Sequence, residues 1–358
     1  MKYIDLFFYK RFLYLVLTGM LLSGCAVLSD RQEQDFGQMH DTIFSALDAS
    51  GIGLDLLSSS YYITVRNQSD SWELLDADYT IPTAYDLDII LDRLTAQLES
   101  QNFTVQSLQI QKAPPLNRIK VEVYHKHLLI GILSFRQEVA GYMAIIIDDA
   151  GHNTRGLSLA LRIDRPITFA VLPHLAKSKQ LAEVFNEYGQ LVMLHQPMAP
   201  HKNLDPGPGA ISANMPAEKI RKTLTENLAS VPHAKGLNNH MGSLITSDKN
   251  KMHTILSYLK NKNIFFLDSI TGKSICADVA ATIQYPIYKR DVFIDNKHTK
   301  QYIHNQLDQL ITMTLRHKRT IGIGHFYPIT LECILEKLPE LDKKHIKLVH
   351  VSDLQPGY

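Results

Sequence analysis

The stretch Met143-Ala144-Ile145-Ile146-Ile147-Asp148-Asp149-Ala150-Gly151 decides the fold. Its apolar run is unbroken and stops on two carboxylates. Such a run suits a strand buried on both faces. Similar runs recur at 167–172, 191–194, 236–239, 264–267 and 320–324. Helical stretches lie between them at 177–188, 217–230, 249–261 and 299–317. Strands alternating with helices predict βα units on a mainly parallel sheet. In barrels of this kind, chemistry gathers at the C-terminal ends of the strands. Here the successive runs end on Asp148-Asp149, Pro173-His174, His195, His240, Asp268 and His325. Asp or His at every end is hard to attribute to chance.

Upstream, residues 41–139 read as a small α+β domain. Leu87, Ile90, Leu91, Leu94 and Leu98 recur at helical spacing behind Pro82. Runs at 61–65, 103–110, 119–123 and 128–135 predict strands, the last two joined by a hairpin near Lys126-His127. His125 and His127 flank that turn and are read as solvent-facing. Residues 25–40 are polar and read as a tether.

The first 24 residues read as a signal peptide: Lys2, Lys10 and Arg11, then an apolar core from Phe12. Leu22-Ser23-Gly24-Cys25 resembles a bacterial lipobox, which implies lipidation at Cys25. The protein is then expected to be lipid-anchored in the cell envelope, facing the periplasm. Cys276 and Cys333 are read as two separate buried thiols, with a disulfide as the alternative in an oxidising compartment.

The chain has 358 residues, 45% of them hydrophobic, and a formal net charge of +1. That balance argues against a nucleic-acid partner and against an acidic tail. Sixteen histidines make their positions worth reading. Adjacent carboxylates such as Asp148 and Asp149 repel unless a positive charge compensates, and a divalent cation is the usual one. Asp149 with His195 and His240 leaves a fourth position open, as catalytic zinc sites require. One of the two carboxylates is then a ligand and the other a base, and His325, after Gly322 and Gly324, is read as a proton donor. Asp268 is read as orienting that histidine or the metal ligands. His174, Asn239 and the pair Arg290–Asp291 are read as substrate-binding. Histidines such as His298 and His304 follow no site pattern and are left as surface or cap residues.

Taken together, the segments 145–151, 169–174, 192–200, 206–210, 238–243, 265–269, 290–296 and 321–328 resemble the divergent polysaccharide deacetylase family. That family is related to the NodB-type carbohydrate esterases, and the resemblance covers about residues 142–354. It implies a distorted, incomplete (β/α) barrel over 142–358, following the α+β domain. It also implies a divalent metal, zinc being expected, and removal of N-acetyl groups from an envelope glycan. In those terms Asp148 is the base, Asp149, His195 and His240 hold the metal, and His325 is the acid. Three features depart from the ordinary enzymes. Thr-Phe-Asp-Asp-Gly is replaced by the sequence around Ile147-Asp148-Asp149-Ala150, Ala199 stands where a second ligand is usual, and the Arg-containing substrate motif is absent. The alternative is an envelope lipoprotein that binds glycan or a partner in the same cleft without turnover. A third reading is a structural lipoprotein whose N-terminal module, of unknown protein partner, is the working part.

Overall fold

The computed structural model describes residues 33–66, 71–113 and 115–356, which divide into two compact units after Glu138. The tetrad Leu22–Cys25 lies outside the described residues.

In the first unit a helix, Glu33–Ala49, precedes β1 (Leu57–Arg66) and β2 (Ser71–Thr80). A second helix, Leu87–Ser100, leads to β3 (Phe103–Ala113), β4 (Leu116–His125) and β5 (Leu128–Glu138). The sheet order is β1-β2-β5-β4-β3. All pairs are antiparallel except β2 with β5. Leu87, Ile90, Leu94 and Leu98 bury on that sheet beside Leu75, Val121, Leu133 and Phe135. Asp86 caps the second helix by accepting from the backbone N–H groups of Asp88 and Ile89.

Three expectations for this unit are corrected. Residues 33–40, read as tether, are helical. Phe36, Ile43 and Leu47 recur at helical spacing and are buried, but the polar residues between them hide the pattern. Strand β2 was not anticipated, because Glu73, Asp76 and Asp78 mask its apolar face. His125 is half-buried and its ring packs 5.2 Å from Phe103, whereas His127 is exposed as expected.

The second unit is a curled parallel sheet, an incompletely closed (β/α) barrel of the α/β class. Its strands are β6 (Gly141–Ala150), β7 (Thr168–Val171), β8 (Leu191–Met198), β9 (Gly236–Met241) and β10 (Phe265–Asp268). They continue as β11 (Tyr288–Lys289), β12 (Val292–Phe293), β13 (Arg319–His325) and β14 (Ile346–Leu348). The order is β11-β10-β9-β8-β7-β6-β13-β12, with β14 also on β6. Thus β11 and β12 lie at opposite edges although only Arg290 and Asp291 separate them in sequence. The Arg290 N–H donates to Asp268 on β10, and the Asp291 N–H to Ile321 on β13. These two residues form the seam where the chain, rather than a strand ladder, closes the barrel.

Side chains alternate across each strand. Ala144, Ile146, Ala170, Met193, Leu267, Ile321 and Ile323 face the barrel interior. Ile145, Ile147, Val171, Leu194, Leu237 and Phe266 face the surrounding helices. That parity fixes which residues meet where the strands end. Cys276 and Cys333 are both buried and unpaired. Among the described residues, no helix is long and apolar enough to cross a membrane.

Candidate metal centre and active site

Asp148 follows Ala144 and Ile146 in parity, so it points into the barrel. Asp149 would point outward on a regular strand. Its backbone instead adopts φ 62°, and the ladder to β7 is irregular between Ile147 and Ala150. A left-handed non-glycine residue costs on the order of 1–3 kcal/mol and is kept where the surroundings enforce it. The turn brings Asp149 beside His195 of β8 and His240 of β9. Its Oδ1 lies 3.2 Å from His195 Nε2 and 3.1 Å from His240 Nδ1. The two ring nitrogens are 3.1 Å apart.

These three donor atoms fit a divalent cation. Bonds of about 2.0–2.1 Å in a tetrahedral site place ligand atoms roughly 3.3–3.4 Å apart, close to the observed triangle. Asp149 Oδ1 is buried and takes no hydrogen bond of good geometry, although both rings are beside it. The donor set of one carboxylate and two imidazoles suits zinc and its neighbours better than magnesium or calcium. Ala199, just past β8, is no ligand; His240 supplies the third donor from the next strand. Ala199 packs against the core and bonds to Ile211 and Leu244 through its backbone.

Asn238 orders the neighbouring groups. Its Nδ2 donates to Asp148 Oδ1 at 2.8 Å, which leaves its Oδ1 to accept from His195 Nδ1 at 2.8 Å. The proton of His195 is thereby held on Nδ1, and the Nε2 lone pair faces the triad. Asn238 was not singled out from sequence. Strand alternation gives the signal, because Asn238 shares a face with His240.

The electrostatics favour positive charge at this point. Burial alone would raise the Asp149 carboxyl, but His195 and His240 reverse that and hold it well below the usual carboxylate range. Burial would lower His195, yet Asp148 and Asp149 pull it up. Asp148 is raised by burial, with His195 and His325 working against that shift.

His325 closes β13, and the register sets it opposite Asp148. Its Nδ1 lies 2.7 Å from Asp295 Oδ1. Asp295 Oδ2 accepts from the His325 backbone N–H and from the Thr330 hydroxyl. Burial disfavours a charged His325, but Asp295, with Asp148 and Asp149 behind it, raises the imidazole to about 9. One face of that ring stacks on Phe293, with centroids 6.3 Å apart and planes at 12°. Arg290 lies over the same Phe293 ring at 3.7 Å and donates to the backbone oxygens of Ser269 and Ile270. Tyr327 is 5.8 Å from His325 and 4.6 Å from His298, centroid to centroid, and is partly exposed.

Several sequence assignments are corrected. Asp268 does not orient His325; it accepts from the Ser274 hydroxyl and the Ile270 N–H. Its parity with Phe266 turns it out of the barrel, and Asp295 takes the orienting position. Asp295 ends an apolar run at 292–294, so the strand-end rule that found the others would have found it. Asn239 is buried and bonds to the Met241 carbonyl and the Ser269 N–H, so its amide braces two loops instead of facing a substrate. Asp291 accepts from Ile321 N, four residues before the end of β13, and makes no pair with Arg290 at the site. It sits just before β12, at the ladder end remote from His325, and it serves the seam. His174 bonds Asn227 Oδ1 at 2.8 Å, and Asn227 in turn holds Gly209 and Gln196. His174 thus braces the 206–210 loop. The structure therefore brings together Asp148, Asp149, His195, His240 and His325, with Arg290 at the edge.

Residues 145–355 match the family described as divergent polysaccharide deacetylase. The chain is 31% identical over 217 residues to the uncharacterized protein YibQ of Escherichia coli K12, covering 60% of this chain and 68% of that protein. It is 29% identical over 216 residues to an uncharacterized protein of Haemophilus influenzae, covering 59% and 76%. A crystal structure of the uncharacterized protein ATU2773 from Agrobacterium tumefaciens C58 superimposes with a TM-score of 0.57 at 21% identity, covering 61% of this chain and 90% of that one. That likeness concerns the fold. The family match spans more than half of the chain, from β6 past β14, and includes every residue of the triad and of the His325–Asp295 pair. The chain belongs to the divergent polysaccharide deacetylase family.

Proposed function

We propose that this protein is a metal-dependent hydrolase that removes N-acetyl groups from a glycan. The observation that carries the reading is a buried carboxylate and a raised imidazole on paired strands, both beside a three-ligand cation site. A divalent cation held by Asp149, His195 and His240, with zinc as the proposed ion, would supply Lewis-acid polarisation of the amide oxygen and of water. Asp148 would take the proton from the attacking water. Its burial raises the carboxyl, which makes the carboxylate a better base. Asn238 would hold Asp148 and His195 in place. His325, whose protonated form Asp295 favours, would give its proton to the departing amine nitrogen, and Asp295 would stabilise the charge until then. Two titratable groups pushed upward on facing strands thus divide the base and acid roles. Tyr327 and His298 offer an aromatic wall beside the acid, suited to a sugar ring.

The test is acetate release from N-acetylated oligosaccharides by the metal-loaded protein. Wild type should turn over and Asp148→Asn should not, while the variant keeps its metal. No release by wild type with the metal bound would favour the second reading, a glycan-binding protein. The absence of a second ligand at Ala199 speaks for that reading, and the retained base and acid speak against it. We also propose that Cys25 is lipidated and that the protein faces the periplasm, on the strength of the Leu22–Cys25 tetrad. Labelled palmitate should enter wild type and not Cys25→Ala; equal labelling would sink the anchor.

A further inference from the structure

Three candidates stand outside the centre just described. The exposed Tyr61 and Tyr62 on edge strand β1 carry nothing that names a partner. The cleft under the seam, lined by Lys289, Asp291 and Arg319, mixes charges and favours no ligand. The third candidate is a cluster of soft and borderline donors between the two helices that flank β13. Helix Lys300–His317 precedes β13 and helix Pro328–Lys343 follows it. His304 on the first faces Cys333 and Glu336 on the second, and one donor atom from each lies within 4.8 Å of the others.

We propose that His304, Cys333 and Glu336 form a second divalent-metal site, of the zinc or cobalt class, that clamps these two helices together. Cys333 and Glu336 are three residues apart on one helix, so they share a face. His304 Nε2 is already 2.8 Å from Glu336 Oε2. The Cys333 side chain is wholly buried, yet its sulfur reaches the same small volume. A thiolate, an imidazole and a carboxylate are a donor set for zinc or cobalt, and not for magnesium or calcium. The site shares no residue with the Asp149 triad, which sits on strands, and it does not rest on the deacetylase reading.

Two features oppose occupancy, and both are quantifiable. Burial, with Glu336 and Glu332 nearby, pushes the Cys333 thiol up to about 11. Binding must therefore break the S–H bond, form the S–metal bond and release one proton to solvent, so affinity rises with pH. Lys300 also occupies the carboxylates, with Nζ 2.7 Å from Glu336 Oε1 and 3.2 Å from Glu332 Oε2. These pairs are solvent-exposed, and such pairs hold weakly. Lys300 acts as a competing cation: a metal displaces its ammonium from Glu336.

Cobalt(II) titration of the full-length protein tests this, because of the two donor clusters found among the described residues only this one contains sulfur. Thiolate-to-cobalt charge transfer absorbs in the near ultraviolet, and the Asp149 triad cannot produce that band. Asp149→Ala should keep the band with one cobalt per chain. His304→Ala, a partly exposed substitution that the fold tolerates, should lose it. Lys300→Met should tighten binding several-fold. A thermal shift on metal addition should appear in Asp149→Ala and vanish in His304→Ala/Asp149→Ala. No near-ultraviolet band in the folded Asp149→Ala protein at pH 8–9 would overturn the site, as would a band that survives His304→Ala.

Discussion

Asn238 and Asp295 show how single residues hold the groups proposed as metal ligand, base and acid. Asn238 Nδ2 can only donate to Asp148, so its oxygen must accept from His195, and the tautomer follows. Asn238→Ala should weaken metal binding at the triad roughly 10–100-fold, the usual cost of losing such support. Competition against a chelator measures it, and an unchanged affinity would mean that the rings orient themselves. Asp295 does the same for His325. In the metal-free protein the His325 resonance should titrate near 9, against an ordinary value of 6.5. A pKa raised on folding stabilises the protein below the unfolded value, and the gain is lost as pH rises past the folded one. The window is therefore about 6.5 to 9, and the linkage is worth about 3 kcal/mol at most. Asp295→Asn should bring the titration down toward 6.5, because burial is then opposed only by the charges of Asp148 and Asp149. A cation on the nearby triad should also lower it, by like-charge repulsion. A His325 that titrates alike in wild type and Asp295→Asn would remove Asp295 from its role.

At the scale of strands, the period of two explains what the sequence made legible and what it did not. Runs ending on Asp or His located Asp148, His195, His240 and His325, because a buried parallel strand gathers its ionisable residues towards its end. Two of the assignments that failed have the opposite parity. Asn239 follows Leu237, and Asp268 follows Phe266, both facing the helices. Asp149 shares that outward parity and still joins the centre, through its left-handed turn. Nothing in the residue type announces such a turn. The seam was equally hidden, since strands of two residues carry no period at all. Helix packing then sets where the strand ends stand. A side-chain carbon at Gly322 would lie 2.5 Å from Leu310 Cδ2 and 3.1 Å from Ile294 Cδ1. Gly322→Ala should therefore cost about 1–3 kcal/mol by overpacking between β13 and helix Lys300–His317. Chemical denaturation reads the loss. If β13 is displaced with its helix, the His325 titration shifts as well, and a neutral substitution would mean that Leu310 has room to turn aside.

For the whole molecule, the distribution of buried side chains matters more than the length of the chain. Every residue of the candidate metal centre and of the His325–Asp295 pair comes from the unit after Glu138. That unit has its own helix-facing layer around Ile145, Phe169, Leu194 and Leu237, and its own barrel interior around Ile146, Met193 and Ile323. The first unit buries a separate set around Ile43, Leu75, Leu94 and Phe135. A core of the size found in residues 139–358 is ample for independent folding, since single cores serve domains of about 50–250 residues. Residues 139–358 expressed alone should therefore unfold in one cooperative transition and bind a cation at the Asp149 triad with the affinity of the full chain. The first unit would then contribute by what it binds, and not by completing the chemistry. Isothermal titration and denaturation of the truncated protein decide the matter. A truncated protein that is folded but several-fold weaker for metal would show that the triad depends on residues before Val139. One that never folds would show that the two sets of buried side chains are not energetically separate.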